Sequence, residues 1–306
     1  MYSGSTQAKC WTFKSAREIE QLRYGVVLKQ RATDGAGEDL SDKFLTVEEE
    51  RLLCQLVMQT GLRFSKDFKP PIWQSVVWTA FTYFRRFYLH HSPMEFTCKH
   101  VMMACFYLAC KVDEFYVSID DFVRNLKTGD PNSNAELILQ LEPVIMSKLN
   151  YQLTVHCPFR ALEGHLIEME TRCPDFGDYE QLRAAIDANF FDRALLTDVC
   201  LRYSPSQIAL AALQHACGQS KDDNRNLDEY LSLLCDGDDV KCQKLETRLK
   251  EIIAEIDGVQ NIDIAAKLQE RAQKWVMAKI ELDKALKAVN GQKQNGDDGS
   301  WSDEDD

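Results

Sequence analysis

The segment CKHVMMACFYLACKVDEF, residues 98–115, constrains this chain most. From Val101 to Ala109 it is apolar on nearly every helical face, and such a helix must be enclosed by other helices rather than lie on a surface. It is expected to be the centre of its domain. Chain breakers are scarce: Gly 14 and Pro 8 among 306 residues amount to about 7%, where roughly 12% is average. Apolar residues recur at three- and four-residue spacing in one segment after another, and alternation of period two bounded by hairpin turns is nearly absent. The fold class expected is all-α.

Local signals divide the chain further. Thr46 followed by Glu48, Glu49 and Glu50 reads as a capped helix start, running to about Arg63. Pro70-Pro71 is expected to open the next helix from its first turn, ending near His90-His91. A short helix is expected over Ser118 to Leu126, and a fifth from Ala135 to Leu149 after the turn GDPNSN. A second unit begins after Pro158, with helices expected over 159–172, 179–202, 206–217, 226–235 and 240–256. At an offset of 105 residues, Met103-Ala104 faces Ile208-Ala209 and Leu108 faces Leu213, a weak repeat in the same helix order. The expected division is an N-terminal helical arm and linker over 1–45, units over 46–154 and 155–257, a C-terminal helix over 258–290 and a disordered acidic tail over 291–306.

Charge narrows the function classes. The formal net charge is −12; the last sixteen residues carry −5 of it, so the body is acidic as well. Nucleic-acid binding rests on a basic footprint, and the nearest candidate, Arg85-Arg86, is two residues long. Eleven cysteines without a C-x-x-C pair, and no leading apolar stretch, point to reduced thiols in cytosol or nucleus. No run reaches the roughly 18 to 20 apolar residues that cross a bilayer.

Nothing in the sequence assembles an active centre. Cys105 with Cys110, and Cys98 with His100, fall short of a four-ligand metal set. No Gly-rich phosphate loop, G-x-S-x-G, H-E-x-x-H or H-R-D occurs, so neither an enzyme nor a cofactor is expected. Lys111, Asp113 and Glu114 end the apolar helix, where a Lys in the last turn suits the helix dipole. Glu142 reads as an exposed helix acid.

At these residues the chain resembles the cyclin family. MMACFYLACKVDEF is similar to the third cyclin-box helix and LEPVIMSKLNYQL to the fifth, and the duplicated five-helix unit resembles tandem cyclin boxes. MYSGSTQAKCWTF, FRRFYLHHSPMEF and TDVCLRYSPSQIALAAL resemble the branch of the family that serves the CDK-activating kinase and transcription factor TFIIH. The resemblance implies a nuclear regulatory subunit, itself no enzyme, that binds a cyclin-dependent kinase catalytic subunit, with a RING-type assembly factor and core TFIIH as further partners and neither nucleic acid nor membrane. It implies support for activation-loop phosphorylation of other cyclin-dependent kinases and for phosphorylation of the RNA polymerase II C-terminal domain.

By the same resemblance, Lys111 and Glu142 are the kinase-binding pair, with Phe115 and Ile145 among the apolar residues around them. Pro143 after Glu142 is expected to kink the fifth helix or to lie in its first turn. The first helix, EEERLLCQLVMQTG, departs from the docking motif of cell-cycle cyclins. Trp11 and Phe13 of the arm, and Trp275 of the C-terminal helix, are expected to pack on the first unit. Ser300 and Ser302, each with an acid three residues on, are candidate phosphorylation sites. The alternatives are a cyclin-fold assembly factor similar to TFIIB, or a different transcriptional cyclin.

Overall fold

The computed structural model describes residues 2–33, 45–173, 179–186, 188–218 and 221–259. Among them every regular element is helical, and no helix is long and apolar enough to cross a membrane. The expected C-terminal helix with Trp275, the acidic tail, Ser300 and Ser302 lie outside the described residues.

An arm of two helices, α1 (Thr6–Cys10) and α2 (Ala16–Thr33), precedes the first repeat. That repeat comprises α3 (Val47–Asp67), α4 (Gln74–Phe87), α5 (Cys98–Val112), α6 (Ile119–Arg124) and α7 (Pro131–Lys148). Its helix starts follow from side chains that satisfy first-turn amides. The Thr46 hydroxyl accepts from the Glu49 amide while the Glu49 carboxylate accepts from the Thr46 amide, a closed capping box. Ser118 caps α6 and Asp130 caps α7 through their side chains alone, accepting from the Asp121 and Ser133 amides.

The expected central helix is central. Every residue of α5 from Val101 to Cys110 is buried, and α3, α4 and α7 pack around it. In the second repeat α12 (Pro205–Cys217) takes this place, with Ile208 to Leu213 all buried. It packs against α8 (Pro158–Arg172), α9 (Tyr179–Ala185), α11 (Val199–Arg202), α13 (Lys221–Leu234) and α14 (Asp239–Asp257).

Three expectations need correction. The Pro70-Pro71 pair lies outside α4, which starts at Gln74 with Trp73 as its cap residue; a proline holds the residue before it extended, so two in a row delay the helix. The expected turn GDPNSN becomes helix from Pro131 onward, because Asp130 caps it and Pro131 occupies the first turn, where its missing amide costs nothing. Residues 179–202 are not one helix but three: α9, α10 (Ala188–Leu195) and α11. The break at Thr197-Asp198 coincides with a buried charge. Asp198 accepts two hydrogen bonds from Arg23 of α2, both 2.8 Å, and one of 2.6 Å from Arg85 of α4.

The arm therefore spans both repeats rather than the first alone. Trp11 donates to the Gln152 side chain at 2.7 Å and lies 5.2 Å from the Arg86 guanidinium, whereas the Phe13 amide donates to the Leu201 carbonyl at 2.8 Å. Arg85 and Arg86, the basic pair considered for nucleic acid, are 5% and 1% exposed. They serve this junction and present no cation to a phosphate.

Candidate functional site

Lys111 and Glu142 are brought together. Lys111 sits in the last turn of α5 and Glu142 in the middle of α7, and the ammonium donates to both carboxylate oxygens at 2.7 Å. The Lys111 side chain is 46% exposed and that of Glu142 12% exposed, so the acid is not the solvated group its sequence context suggests. Charge-assisted bonds of this length are the strong kind, here on a pair that stays accessible from one side.

The helix end that carries Lys111 is firmly held. Glu114 adopts φ 58, the Phe115 amide donates to the Cys110 carbonyl at 2.8 Å and the Glu114 amide to the Lys111 carbonyl at 3.3 Å, a left-handed cap with its carbonyls satisfied. Asp113 ties this end to the start of α4, accepting from the Thr79 hydroxyl at 3.2 Å. Burial pushes the Asp113 carboxyl up, and hydrogen bonds from Thr79 and Ser75 work against that rise. The Lys111 ammonium also lies 4.6 Å from the centre of the Tyr107 ring, one helical turn earlier on α5.

Pro143 neither starts α7 nor stops it: the helix runs through it from Pro131 to Lys148. Phe115 and Ile145 are covered by this chain itself. Ile145 is fully buried and Phe115 is 8% exposed, because Ile145 lies on the inward face of α7 and the Phe115 ring packs edge-on against Phe68 and Trp73. The large apolar side chains that are exposed nearby are Trp73, Tyr116 and Leu139. Leu139 could have been found from its position three residues before Glu142 on one helix, and Tyr107 from its position four before Lys111. Trp73 lies far away in sequence and gave no such signal.

Among the described residues, no group of three or more His, Cys, Asp or Glu side chains could hold a metal ion. A cavity of about 420 Å³ is walled by α2, α3, the last turn of α4, the Thr197-Asp198 turn and the end of α14; its Arg23 and Arg85 both pair with its Asp198.

Comparison with known proteins bears on what this surface is. The cyclin N-terminal domain model matches residues 69–154 and the cyclin C-terminal domain model residues 157–262. Cyclin-H of Xenopus laevis is 35% identical over an alignment that covers 100% of this chain and 98% of that protein. Among solved structures, a chain of the CAK complex of Chaetomium thermophilum bound to ATP-γ-S superposes with a TM-score of 0.76 at 23% identity, covering 100% of this chain and 98% of that one. A chain of the yeast TFIIK (Kin28/Ccl1/Tfb3) complex superposes with a TM-score of 0.63 at 24% identity, covering 83% of this chain and 100% of that one. These two likenesses establish the shared fold.

Proposed function

Because this chain belongs to the cyclin H family, we propose that it is the regulatory subunit of a CDK-activating kinase of the TFIIH-associated kind, with its boxes over 46–154 and 155–257. A kinase active site works only when a strand Lys pairs with a Glu on helix C and the activation loop stands clear. A rigid helical partner that binds helix C only in its inward position shifts that equilibrium, by no more than its differential affinity for the two positions. The catalytic groups in this reading belong to the kinase. Its products are phosphorylated activation loops of other cyclin-dependent kinases and a phosphorylated RNA polymerase II C-terminal domain. A RING-type assembly factor and core TFIIH are its further partners, and the nucleus its place of work.

The observation that supports this reading is the Lys111–Glu142 pair, its ammonium half exposed and its carboxylate nearly covered, joining the packed helices α5 and α7. In the proposed complex this pair fixes register against the helix C region. Trp73, Tyr116 and Leu139 supply the apolar contact instead of the buried Phe115 and Ile145, over a surface that should exceed about 1,000 Å².

Reconstitution with the kinase catalytic subunit tests the proposal. Wild-type chain raises kinase activity; Lys111→Ala and Glu142→Ala each weaken assembly or activation. Full activation by the double variant would remove the site assignment, and absence of any activation by wild type would remove the function.

A further inference from the structure

We infer that Tyr107 is a positioning residue for Lys111, its ring face holding the ammonium where the kinase meets it; this rests on the reading of Lys111 as a kinase contact. Lysine carries a flexible four-carbon stem whose immobilisation costs rotamer entropy, and the stem of Lys111 leaves the last turn of a helix into solvent. Two groups confine it. The Glu142 carboxylate takes the ammonium at 2.7 Å through both oxygens, and the Tyr107 ring lies 4.6 Å away, inside the roughly 6 Å within which the negative face of an aromatic ring attracts a cation.

The ring is a fixed platform. Tyr107 is 6% exposed, and its ring packs edge-on against Phe122 of α6 with centroids 5.4 Å apart. Phe122 is itself fully buried. Positions 107 and 111 are one turn apart, so the α5 backbone places the ring beneath the ammonium. The carboxylate alone would let the charge swing about its two oxygens; the ring fixes the side from which it is approached. Part of the ordering cost is thus met before the kinase arrives, and preorganisation of this kind appears as affinity.

The test uses the full chain and the kinase catalytic subunit. Tyr107→Phe keeps the ring face and is expected to activate as wild type does. Pentafluorophenylalanine at position 107 keeps the ring shape and reverses its charge distribution, and Tyr107→Leu removes the ring. Both are expected to raise the cyclin concentration for half-maximal activation about two- to five-fold, the range for a partly exposed cation–π contact. In a Lys111→Ala background neither should have a further effect, a dependence that a merely structural role would not show. The Lys111 side-chain resonances should sit upfield in wild type and Tyr107→Phe and return toward ordinary values in Tyr107→Leu. If Lys111→Ala weakens activation while the fluorinated ring leaves it unchanged, or if the effects at 107 and 111 multiply independently, the inference fails and the site stands. If Lys111→Ala has no effect, the site reading falls and the inference falls with it.

Discussion

Arg85 and Asp198 join the two repeats: a guanidinium 5% exposed on α4 donates at 2.6 Å to a carboxylate at the break between α10 and α11. Arg23 of the arm closes on the same carboxylate from the other side. One acid thus holds the arm and both repeats.

Replacing Asp198 with Ala leaves Arg85 charged and buried with the Leu195 carbonyl at 2.8 Å but without its counter-charge. The expected loss is about 3–5 kcal/mol of folding stability, the cost of breaking a buried pair from one side. Arg23→Ala should cost less, since Arg85 keeps its carboxylate. Urea unfolding midpoints of the two variants against wild type check the order; a larger loss for Arg23→Ala would contradict it.

Acid should act through the same residue. Burial alone would push the Asp198 carboxyl up, but the Arg85 and Arg23 cations outweigh it and hold the group well below the usual carboxylate range. With the folded value lower than the unfolded one, near 3.9, the contribution is complete above about pH 4 and fades as pH falls toward the folded value. The stability gap between wild type and Asp198→Asn should therefore be constant from pH 7 to about 5 and narrow below pH 4. A gap that stays level down to pH 3 would refute the assignment.

His165 gives a second pH signature. The Tyr230 hydroxyl donates to Glu168, so the Nδ1–H of His165 donates to the Tyr230 oxygen at 2.9 Å and its Nε2 accepts from Ser206 at 2.8 Å. Burial lowers the pKa of the ring and favours its neutral form, outweighing the nearby Glu168 and a hydrogen bond to the Ser206 backbone, which both act to raise it. Below about pH 6.5 the unfolded chain binds the proton more readily, so this residue makes stability decline as pH falls from 6.5 toward its folded value. His165→Gln should flatten the slope in that window, read from chemical denaturation between pH 7 and 5.5.

Pro143 interrupts the amide ladder inside α7. Pro143→Ala restores a donor to the preceding turn and should raise stability by up to about 3 kcal/mol, with the Lys111–Glu142 pair kept. Thermal unfolding measures the first effect and kinase activation the second. A lower Tm would mean that Pro143 is needed for α7 to lie against α5.

The fold was largely legible because its signals are local. Thr46 with Glu49, and the apolar run from Val101 to Cys110, specify a helix start and a buried helix within a few residues of sequence. The break at Asp198 was not legible: apolar spacing continues across it, and the charges that meet there come from residues 23 and 85. The burial of Phe115 and Ile145 is hidden from the sequence for a related reason. Helical periodicity ranks which faces are apolar, but says nothing of which apolar face a neighbour has already covered.

The amino-acid sequence by itself determined an all-helical chain with two repeated units; Lys111 and Glu142 stood out only through the resemblance to the cyclin family. Tertiary structure alone decided that these two meet at 2.7 Å, that Arg85 and Arg86 face inward, and that Trp73 rather than Phe115 reaches solvent. Caps and periodicity act over one or two helical turns, whereas pairing and burial depend on which distant segments pack together.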